Sequence, residues 1–297
     1  MVYFYTNLLN IKMEKLKVAI QKSGRLSEKS LAMLSEAGVN LVNGSRKLIS
    51  LSSNFPLEIL YLRDDDIPQY VADGVADLGI VGENVLMESG NQLEILERLG
   101  FARCRLSLAV PKGVEYNGPE FFAGKKIATS YPRILQSYLT RNRIPAEIHV
   151  INGSVEIATG IGLADSIFDI VSSGSTLLSN GLKEVEKIMD SEAVVISSPL
   201  MHVEKKELTG ELLFRLRTVL AARNNKYILL NAPDDKLEQI IAVLPGMKSP
   251  TVLPLAIKGW SSVHSVVNEN DFWQVIGKLR EYGAEGILVI PIEKMIV

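Results

Sequence analysis

The sequence has one cysteine, Cys104, and three histidines among its 297 residues. A single cysteine cannot form an internal disulfide, and so few cysteines and histidines argue against a structural zinc site. No run of about 18 apolar residues is present, so no membrane-spanning helix is predicted. We therefore expect a protein of the reducing cytoplasm.

Charge of one sign is also not in excess. Lysine and arginine total 32 and aspartate and glutamate total 34, which gives a formal net charge of −2 and a pI near 6.0. This balance provides no overall field that would hold nucleic acid or an anionic membrane. We expect anionic ligands to be bound by local cations instead. The hydrophobic content of 47% is sufficient for two or three cores in a chain of this length.

The first twelve residues are apolar, but they lack the basic leader and the small-residue cleavage site of a signal peptide. We interpret residues 1–12 as an extension. Met13 directly precedes strand-like sequence, and we interpret it as an alternative start of the natural protein.

The stretch Asp169–Leu177 is the most informative in the chain. It follows apolar, β-branched residues typical of a buried strand, continues through serine and glycine, and reaches Thr176, where a helix can begin. Such a turn directs free backbone N–H groups at one point and forms a phosphate cradle, beside which Asp169 could accept hydrogen bonds from sugar hydroxyls. The alternative is an ordinary Ser/Gly-rich turn from strand to helix.

Strand and helix patterns alternate over most of the chain. Leu16–Ile20 reads as a strand, Gln21–Arg25 as a loop, and Ser27–Ala37 as a helix ended by Gly38. The alternation predicts two α/β lobes with parallel-rich sheets and a ligand cleft between them. Further predicted elements are strands at 57–62, 78–81, 106–110, 127–129, 148–151 and 168–172, a short helix at 67–72, and a strand at 193–196 returning to the first sheet.

These patterns divide the chain into three regions. Residues 13–105 are predicted to form lobe I, to which residues 190–222 return, and residues 106–189 are predicted to form lobe II. After a helix at Glu207–Arg223, the order from Tyr227 is βαββαβ, which predicts a ferredoxin-like (ACT-like) domain over residues 223–297.

Nine collinear segments resemble those of ATP phosphoribosyltransferase, the first enzyme of histidine biosynthesis, in its long form with a C-terminal regulatory domain. They are Q-K-S-G-R-L-S from Gln21, R-D-D-D-I-P from Arg63, D-G-V-A-D-L-G-I-V-G-E-N-V-L from Asp73, C-R-L-S-L-A from Cys104, I-A-T-S-Y-P from Ile127, N-G-S-V-E from Asn152, G-L-A-D-S-I-F-D-I-V-S-S-G-S-T-L from Gly162, S-P-T-V-L-P-L-A from Ser249 and I-L-V-I-P-I-E-K-M from Ile287.

The resemblance implies a two-lobed catalytic region like that of periplasmic binding proteins. It also implies that the Asp169 loop holds the 5-phosphate and ribose of phosphoribosyl pyrophosphate. Two departures from the family pattern stand out: Ala158-Thr159-Gly160 replaces a common Ala-Pro-Arg, and Ser175 replaces a common Ala or Arg. The loop residues expected to bind this substrate are Asp169, Ser172, Ser173, Gly174, Ser175 and Thr176.

The implied reaction needs no strong general base. N1 of the adenine ring of ATP is unprotonated at neutral pH, and its lone pair attacks the anomeric carbon as pyrophosphate leaves. Positioning and charge neutralisation therefore supply the catalysis, with Mg²⁺ carried mainly by the pyrophosphate and no protein metal ligand identified. Lys22 and Arg25, together with Asp169, are the catalytic candidates, and Arg63 and Arg105 are further substrate-binding candidates.

Other polar residues receive structural interpretations. Asp65 or Asp66 is expected to cap the following helix, because three consecutive carboxylates point in different directions and suit a metal poorly. Cys104 is expected to be a small apolar filler. His149 and His202 are assigned no role.

The resemblance places a histidine inhibitor site in the C-terminal domain, at Asn231, Ser249, Thr251 and Gly286. Amino-acid sites in such domains commonly form between subunits, so we expect a homo-oligomer in which dimers assemble into a hexamer. The alternative function is a cytoplasmic amino-acid or anion binding module, since two α/β lobes around a cleft also describe receptors.

Overall fold

The computed structural model describes residues 14–42, 48–244, 246 and 249–296. The expected extension, residues 1–12, and Met13 lie outside the described residues. One compact unit comprises the described residues up to Ser35 and Val39–Gly210, and the second comprises Glu36–Gly38 and the described residues from Glu211 onward. Within the described ranges, no helix combines the length and hydropathy that a membrane crossing requires.

Lobe I of the first unit is built on a six-stranded sheet, in the order β2-β3-β1-β4-β11-β5. Its strands are β1 (Leu16–Gln21), β2 (Ile49–Leu51), β3 (Leu57–Leu62), β4 (Leu78–Gly82), β5 (Glu94–Arg98) and β11 (Ala193–Ser197), and its helices are α1 (Arg25–Glu36), α2 (Ile67–Ala72) and α3 (Glu83–Ser89). The central strand β1 is parallel to both β3 and β4. β11 lies antiparallel between β4 and β5, where a strand returning to the first sheet was predicted.

Lobe II is built on a five-stranded sheet, in the order β10-β6-β9-β7-β8. Its strands are β6 (Cys104–Pro111), β7 (Lys126–Thr129), β8 (Glu147–Val150), β9 (Ser166–Val171) and β10 (Leu182–Ser191), and its helices are α4 (Pro132–Asn142) and α5 (Ser175–Ser179). β7 is parallel to β8 and β9, whereas β6 is antiparallel to β9 and β10. Both sheets are thus mixed, in place of the parallel-rich sheets predicted, because the strands at the lobe crossovers and the edge strand β2 pair antiparallel with their neighbours.

The sheet of lobe II separates two hydrophobic clusters. Along β9, Phe168 belongs to the cluster on one face, and Ile167 and Val171 belong to the cluster on the other. Since side chains alternate along a strand, Asp169 shares the face of Ile167 and Val171. This alternation places its carboxylate next to the loop that follows the strand.

The second unit confirms the predicted ferredoxin-like domain. Its elements are the end of α6 (Val203–Arg223), which crosses from the first unit, followed by β12 (Asn225–Pro233), α7 (Leu237–Val243), β13 (Thr251–Pro254), β14 (Trp260–Asn268), α8 (Glu269–Glu281) and β15 (Glu285–Pro291). The sheet is antiparallel, in the order β13-β14-β12-β15. Alternate residues such as Ile228, Leu230 and Val263 pack against Phe272 and Leu279 of α8. We call the sheet surface on the other side, which carries Asn231, Thr251 and His264, the open face.

One local prediction is wrong. Asp66 occupies the N-cap position of α2, but neither its side chain nor that of Asp65 makes a capping hydrogen bond there. The reason is that residues 64–66 already form a turn of 3-10 helix, so Asp66 has near-helical angles (φ −84°, ψ −25°) and not the extended backbone of a capping residue.

Cys104 is half-buried and its burial raises the pKa of its thiol, in keeping with the filler role expected of it.

Candidate functional site

Two candidate cations lie at the same edge of the lobe I sheet. Lys22 follows the last residue of β1 and Arg63 follows the last residue of β3, and both side chains are exposed. These parallel strands end in register, with Gln21 opposite Leu62, and the Lys22 N–H donates to the Leu62 carbonyl at 2.8 Å. The carboxyl ends of parallel strands are where α/β sheets bind ligands, so this edge is suited to an anion.

The first loop brings Arg25 to this edge as well. Gly24 has φ +96°, a backbone conformation that favours glycine, and it turns the chain sharply from β1 into α1. The Gly24 carbonyl accepts the first hydrogen bond of the helix, from Glu28 at 3.1 Å. Arg25 is thus the first residue of α1 and is exposed, and Lys29, one turn further, is also exposed.

The predicted strand, loop and helix around Asp169 are confirmed as β9, residues 172–174 and α5. Gly174 has φ +79° at the N-cap, and the hydroxyls of Ser173 and Ser175 are 2.8 Å apart. Within the described residues, the N–H groups of Ser173, Gly174 and Thr176 donate to no protein acceptor. Because α5 has only five residues, its dipole adds little. The cradle therefore depends on the backbone N–H groups of the loop.

Arg105 holds the loop from the neighbouring strand. Its Nε and Nη2 donate to the two carboxylate oxygens of Glu184 at 2.6 and 2.5 Å, and its Nη1 donates to the Ser172 carbonyl at 3.0 Å. The Ser107 hydroxyl donates to the same carboxylate at 2.8 Å. The hydrogen bond from Arg105 holds the pKa of Glu184 below its ordinary value. Arg105, which the sequence predicts to bind substrate, fixes the start of the loop through the Ser172 carbonyl.

Asp169 is a half-buried carboxylate beside the loop. Its burial raises its pKa to about 6, and the negative charge of Glu156 acts in the same direction. The Ile170 N–H donates to its Oδ1 at 2.8 Å and partly offsets this rise. The remaining carboxylate oxygen makes no hydrogen bond within the described residues, so it is available to accept hydrogen bonds from a ligand.

Tyr131 is a site residue that the sequence interpretation missed. It lies at the N-cap position of α4 in lobe II, and its hydroxyl accepts a hydrogen bond from Nδ2 of Asn84 in lobe I at 3.2 Å. Burial raises the pKa of Tyr131, and the negative charge of Asp169 raises it further. The I-A-T-S-Y-P segment was recognised only as a family motif, because nothing in its sequence indicates a contact with residue 84.

A cavity of about 550 Å³ lies beside Tyr131. It is formed by both lobes and lined by Asp64, Asp65, Val85, Glu88, Ser89, Ser130, Tyr131, Asn152 and Gly153. Asp64 and Asp65 line this cavity together with Tyr131, and their negative charges raise the pKa of Tyr131 further. The polar lining and the position between lobes are those of a ligand cleft.

The candidate histidine-site residues form two groups on the second unit. A Cβ at Gly286 would lie 3.2 Å from the Asn231 Nδ2, so these two residues are in contact. Thr251 is on β13, which β14 separates from β12, and it is level with Leu229; strand spacing and this offset of two residues put it about 12 Å from Asn231. Ser249 precedes β13 and its hydroxyl donates to the Pro250 carbonyl at 3.3 Å.

A polar row lies between these two groups on the open face. His264 is opposite Thr251, and its Nδ1 lies 2.7 Å from the Tyr227 hydroxyl while its Nε2 lies 3.0 Å from the Ser262 hydroxyl. Around the row the face is apolar and exposed, with Leu253 and Leu288 51% and 53% exposed. In a single copy of the chain, the candidate residues are therefore separated, and they lie on a surface that is partly polar and partly apolar.

Comparison with known proteins gives matches over nearly the whole chain. The family model described as ATP phosphoribosyltransferase matches residues 63–218, and that described as HisG, C-terminal domain, matches residues 222–294. ATP phosphoribosyltransferase of Bacteroides thetaiotaomicron is 62% identical over 95% of this chain and the whole of that protein. The corresponding protein of Cytophaga hutchinsonii is 58% identical over 95% of this chain and 98% of its own length.

A solved structure is also similar. It is described as the ATP phosphoribosyl transferase (HisG:HisZ) complex from Thermotoga maritima, and the similarity has a TM-score of 0.60 with 32% sequence identity. The match covers 68% of this chain and 96% of the compared one.

Proposed function

Because the chain belongs to the ATP phosphoribosyltransferase family, we propose that it joins N1 of the adenine ring of ATP to the phosphoribosyl group of phosphoribosyl pyrophosphate. This reaction releases pyrophosphate and is the first step of histidine biosynthesis. The observation that carries the assignment is the family match over residues 63–218, which includes the whole Asp169 loop. We assign the reaction to the cleft of the first unit.

We assign the residues of the cleft to different parts of the substrates according to their charge. The free N–H groups of the loop after β9 suit the 5-phosphate, and the Asp169 carboxylate suits the ribose hydroxyls. Lys22, Arg25 and Arg63 suit the pyrophosphate, whose negative charge grows as it leaves. Because N1 attacks through an unprotonated lone pair, the protein's contribution is to align two anionic substrates and to neutralise the leaving group.

We propose Mg²⁺ as the metal that accompanies phosphoribosyl pyrophosphate. The described residues contain no cluster of three side chains suited to hold a metal ion, so the pyrophosphate oxygens and water would supply most of its ligands. When bound, the metal neutralises part of the leaving group's charge. Lys22, Arg25 and Arg63 would neutralise the remainder.

Pyrophosphate release tests this assignment. The purified chain is mixed with ATP, phosphoribosyl pyrophosphate and Mg²⁺, and pyrophosphate is measured with each substrate omitted in turn. Release that needs both substrates supports the proposal. A binding module would bind one of the ligands in calorimetry and release no pyrophosphate.

We further propose that histidine inhibits the enzyme by binding at the open face of the second unit. Asn231 and Gly286 sit at one side of this face and Thr251 at the other, and exposed Leu253, Leu288 and neighbouring apolar residues lie around them. A second copy of the chain would cover this apolar surface and bring the two groups together across subunits. We propose dimers that assemble into a hexamer, and sedimentation with and without histidine measures this directly.

A further inference from the structure

Helix α4 of lobe II receives its N-terminal cap from lobe I. The N-cap residue, Tyr131, makes no side-chain capping hydrogen bond. Instead, the Glu88 carboxylate at the end of α3 accepts from the Arg133 N–H at 2.8 Å and from the Ile134 N–H at 3.0 Å. A carboxylate at this position satisfies two unpaired donors and opposes the helix dipole. Its partners lie 45 and 46 residues further along the chain.

A second contact of α3 reaches the same segment through Asn84. This side chain is 5% exposed, and it donates to the Tyr131 hydroxyl at 3.2 Å. Its Oδ1 accepts from the hydroxyl of Ser191, at the lobe crossover, at 2.9 Å, and the Asn84 N–H donates back to that hydroxyl at 3.0 Å. The amide is therefore fixed on both sides, and the hydroxyl of Tyr131 is held in one position.

The end of α3 also packs closely against the start of α4. Gly90 has φ +73°, and a Cβ placed on it would lie 2.3 Å from Nη1 of Arg133. The guanidinium group of Arg133 therefore lies directly against the Gly90 backbone, whose positive φ favours glycine. Three residues of one short segment, at positions 84, 88 and 90, thus contact residues 131–134 of the opposite lobe.

We propose that α3 is a latch that fixes the two lobes at the spacing required for catalysis, with Glu88 and Asn84 as positioning residues. Glu88 holds the first turn of α4, and Asn84 holds the Tyr131 hydroxyl in one position beside the cavity between the lobes. Without these contacts, the Asp169 loop of lobe II can shift relative to the candidate cations of lobe I. The effect on turnover rests on the proposed function, whereas the contact between the lobes does not.

The test uses the full-length protein and four variants. Glu88→Ala removes the cap, Glu88→Gln keeps its shape without the charge, and Tyr131→Phe removes only the hydroxyl. Glu207→Ala is the matched control, because Glu207 is an exposed carboxylate on α6 whose side chain makes no hydrogen bond or ion pair among the described residues. Hydrogen exchange at the amides of Arg133 and Ile134 reports the cap without reference to activity.

We expect Glu88→Ala to speed exchange at these two amides about tenfold and to lower kcat by ten- to a hundredfold, with a smaller change in KM. Glu88→Gln should fall between Glu88→Ala and the unaltered protein, and Tyr131→Phe should lower kcat while leaving exchange slow. Unchanged exchange in folded Glu88→Ala would overturn the latch, as would turnover equal to that of the control. Should Glu88→Ala fail to fold, Glu88→Gln and Tyr131→Phe decide the same question. If the unaltered protein releases no pyrophosphate, the proposed function fails and hydrogen exchange alone decides.

Discussion

The two units present their candidate residues in different ways. In the first unit, Lys22 and Arg63 lie at the ends of neighbouring parallel strands, and Asp169 lies beside the loop that follows β9. In the second unit, Thr251 and Asn231 lie on strands separated by β14, on a face that is largely exposed. The first set lies at strand ends and beside a loop, whereas the second set is spread across the face of a sheet.

The difference follows from strand direction. The parallel strands β1 and β3 end at the same edge of their sheet, so Lys22 and Arg63 lie at neighbouring strand ends within one chain. In the antiparallel second sheet, consecutive loops leave from opposite edges, and residues on a face are separated by the strand spacing. We therefore expect the first unit to form its proposed site alone, whereas the proposed site on the open face would need a second surface.

Asp169→Asn should have the largest effect. The substitution keeps the size of the side chain and removes the charge that would accept two ribose hydroxyls, each worth about 1.5–3 kcal/mol. We expect kcat/KM for phosphoribosyl pyrophosphate to fall by about a hundredfold or more while the circular dichroism spectrum stays the same. Asp165→Asn is a nearby carboxylate control on the same lobe. Kinetics equal to those of the unaltered protein would remove Asp169 from the site.

Lys22→Ala and Arg25→Ala should each lower kcat/KM by about tenfold, since each removes one cation that we propose neutralises the leaving pyrophosphate. Lys29→Ala is the matched control, because Lys29 is an exposed cation one turn further along α1. Initial rates of pyrophosphate release measure all three. Equal losses in the three variants would show that the edge of lobe I is not specific for the substrate.

Thr251→Ala should raise the histidine concentration needed for half inhibition by about tenfold, as expected for one lost hydrogen bond. Thr251→Ser retains the hydroxyl and should be inhibited nearly as well as the unaltered protein. Turnover without histidine should be equal in all three proteins, because Thr251 belongs to the second unit. Full inhibition of Thr251→Ala would exclude Thr251 from the inhibitor site.

The smallest expected effect is on stability. Burial raises the pKa of Asp169 from 3.8 to about 6, so the folded state binds the proton more tightly than the unfolded state. Its contribution to stability is complete below the unfolded pKa and is lost as the pH rises through the folded pKa. Asp169→Asn should therefore raise the unfolding temperature at pH 7.5 by a few degrees, at about 2–4 °C per kcal/mol. The difference should disappear below about pH 4, and a gain that persists there would refute the assigned cause.

The same carboxylate predicts a pH dependence of catalysis. If ionised Asp169 accepts the ribose hydroxyls, kcat/KM of the unaltered protein should fall about tenfold per unit below pH 6. Asp169→Asn should lack this limb of the profile.

The strand Leu57–Leu62 and the helix Ile67–Ala72 could be predicted to the residue, because their apolar periodicity and flanking turn residues are local properties of the chain. The βαββαβ order of the second unit could also be predicted from the sequence. β10 was not predicted, since its sequence L-K-E-V-E-K-I-M-D-S is rich in charge. β10 forms because its backbone pairs with β6 along its length, which the charged composition of the segment does not indicate.

The sequence by itself determined the positions of the loop at Asp169 and the cations at Lys22 and Arg25, because turn chemistry and strand ends are encoded over a few neighbouring residues. Only the tertiary structure decided that Arg105 holds this loop through the Ser172 carbonyl and is itself paired with Glu184, 79 residues further along the chain. It also decided that Glu88 caps a helix in the other lobe and that burial raises the pKa of Asp169. The physical reason is that long-range pairing and desolvation depend on which surfaces meet, and no local pattern specifies this.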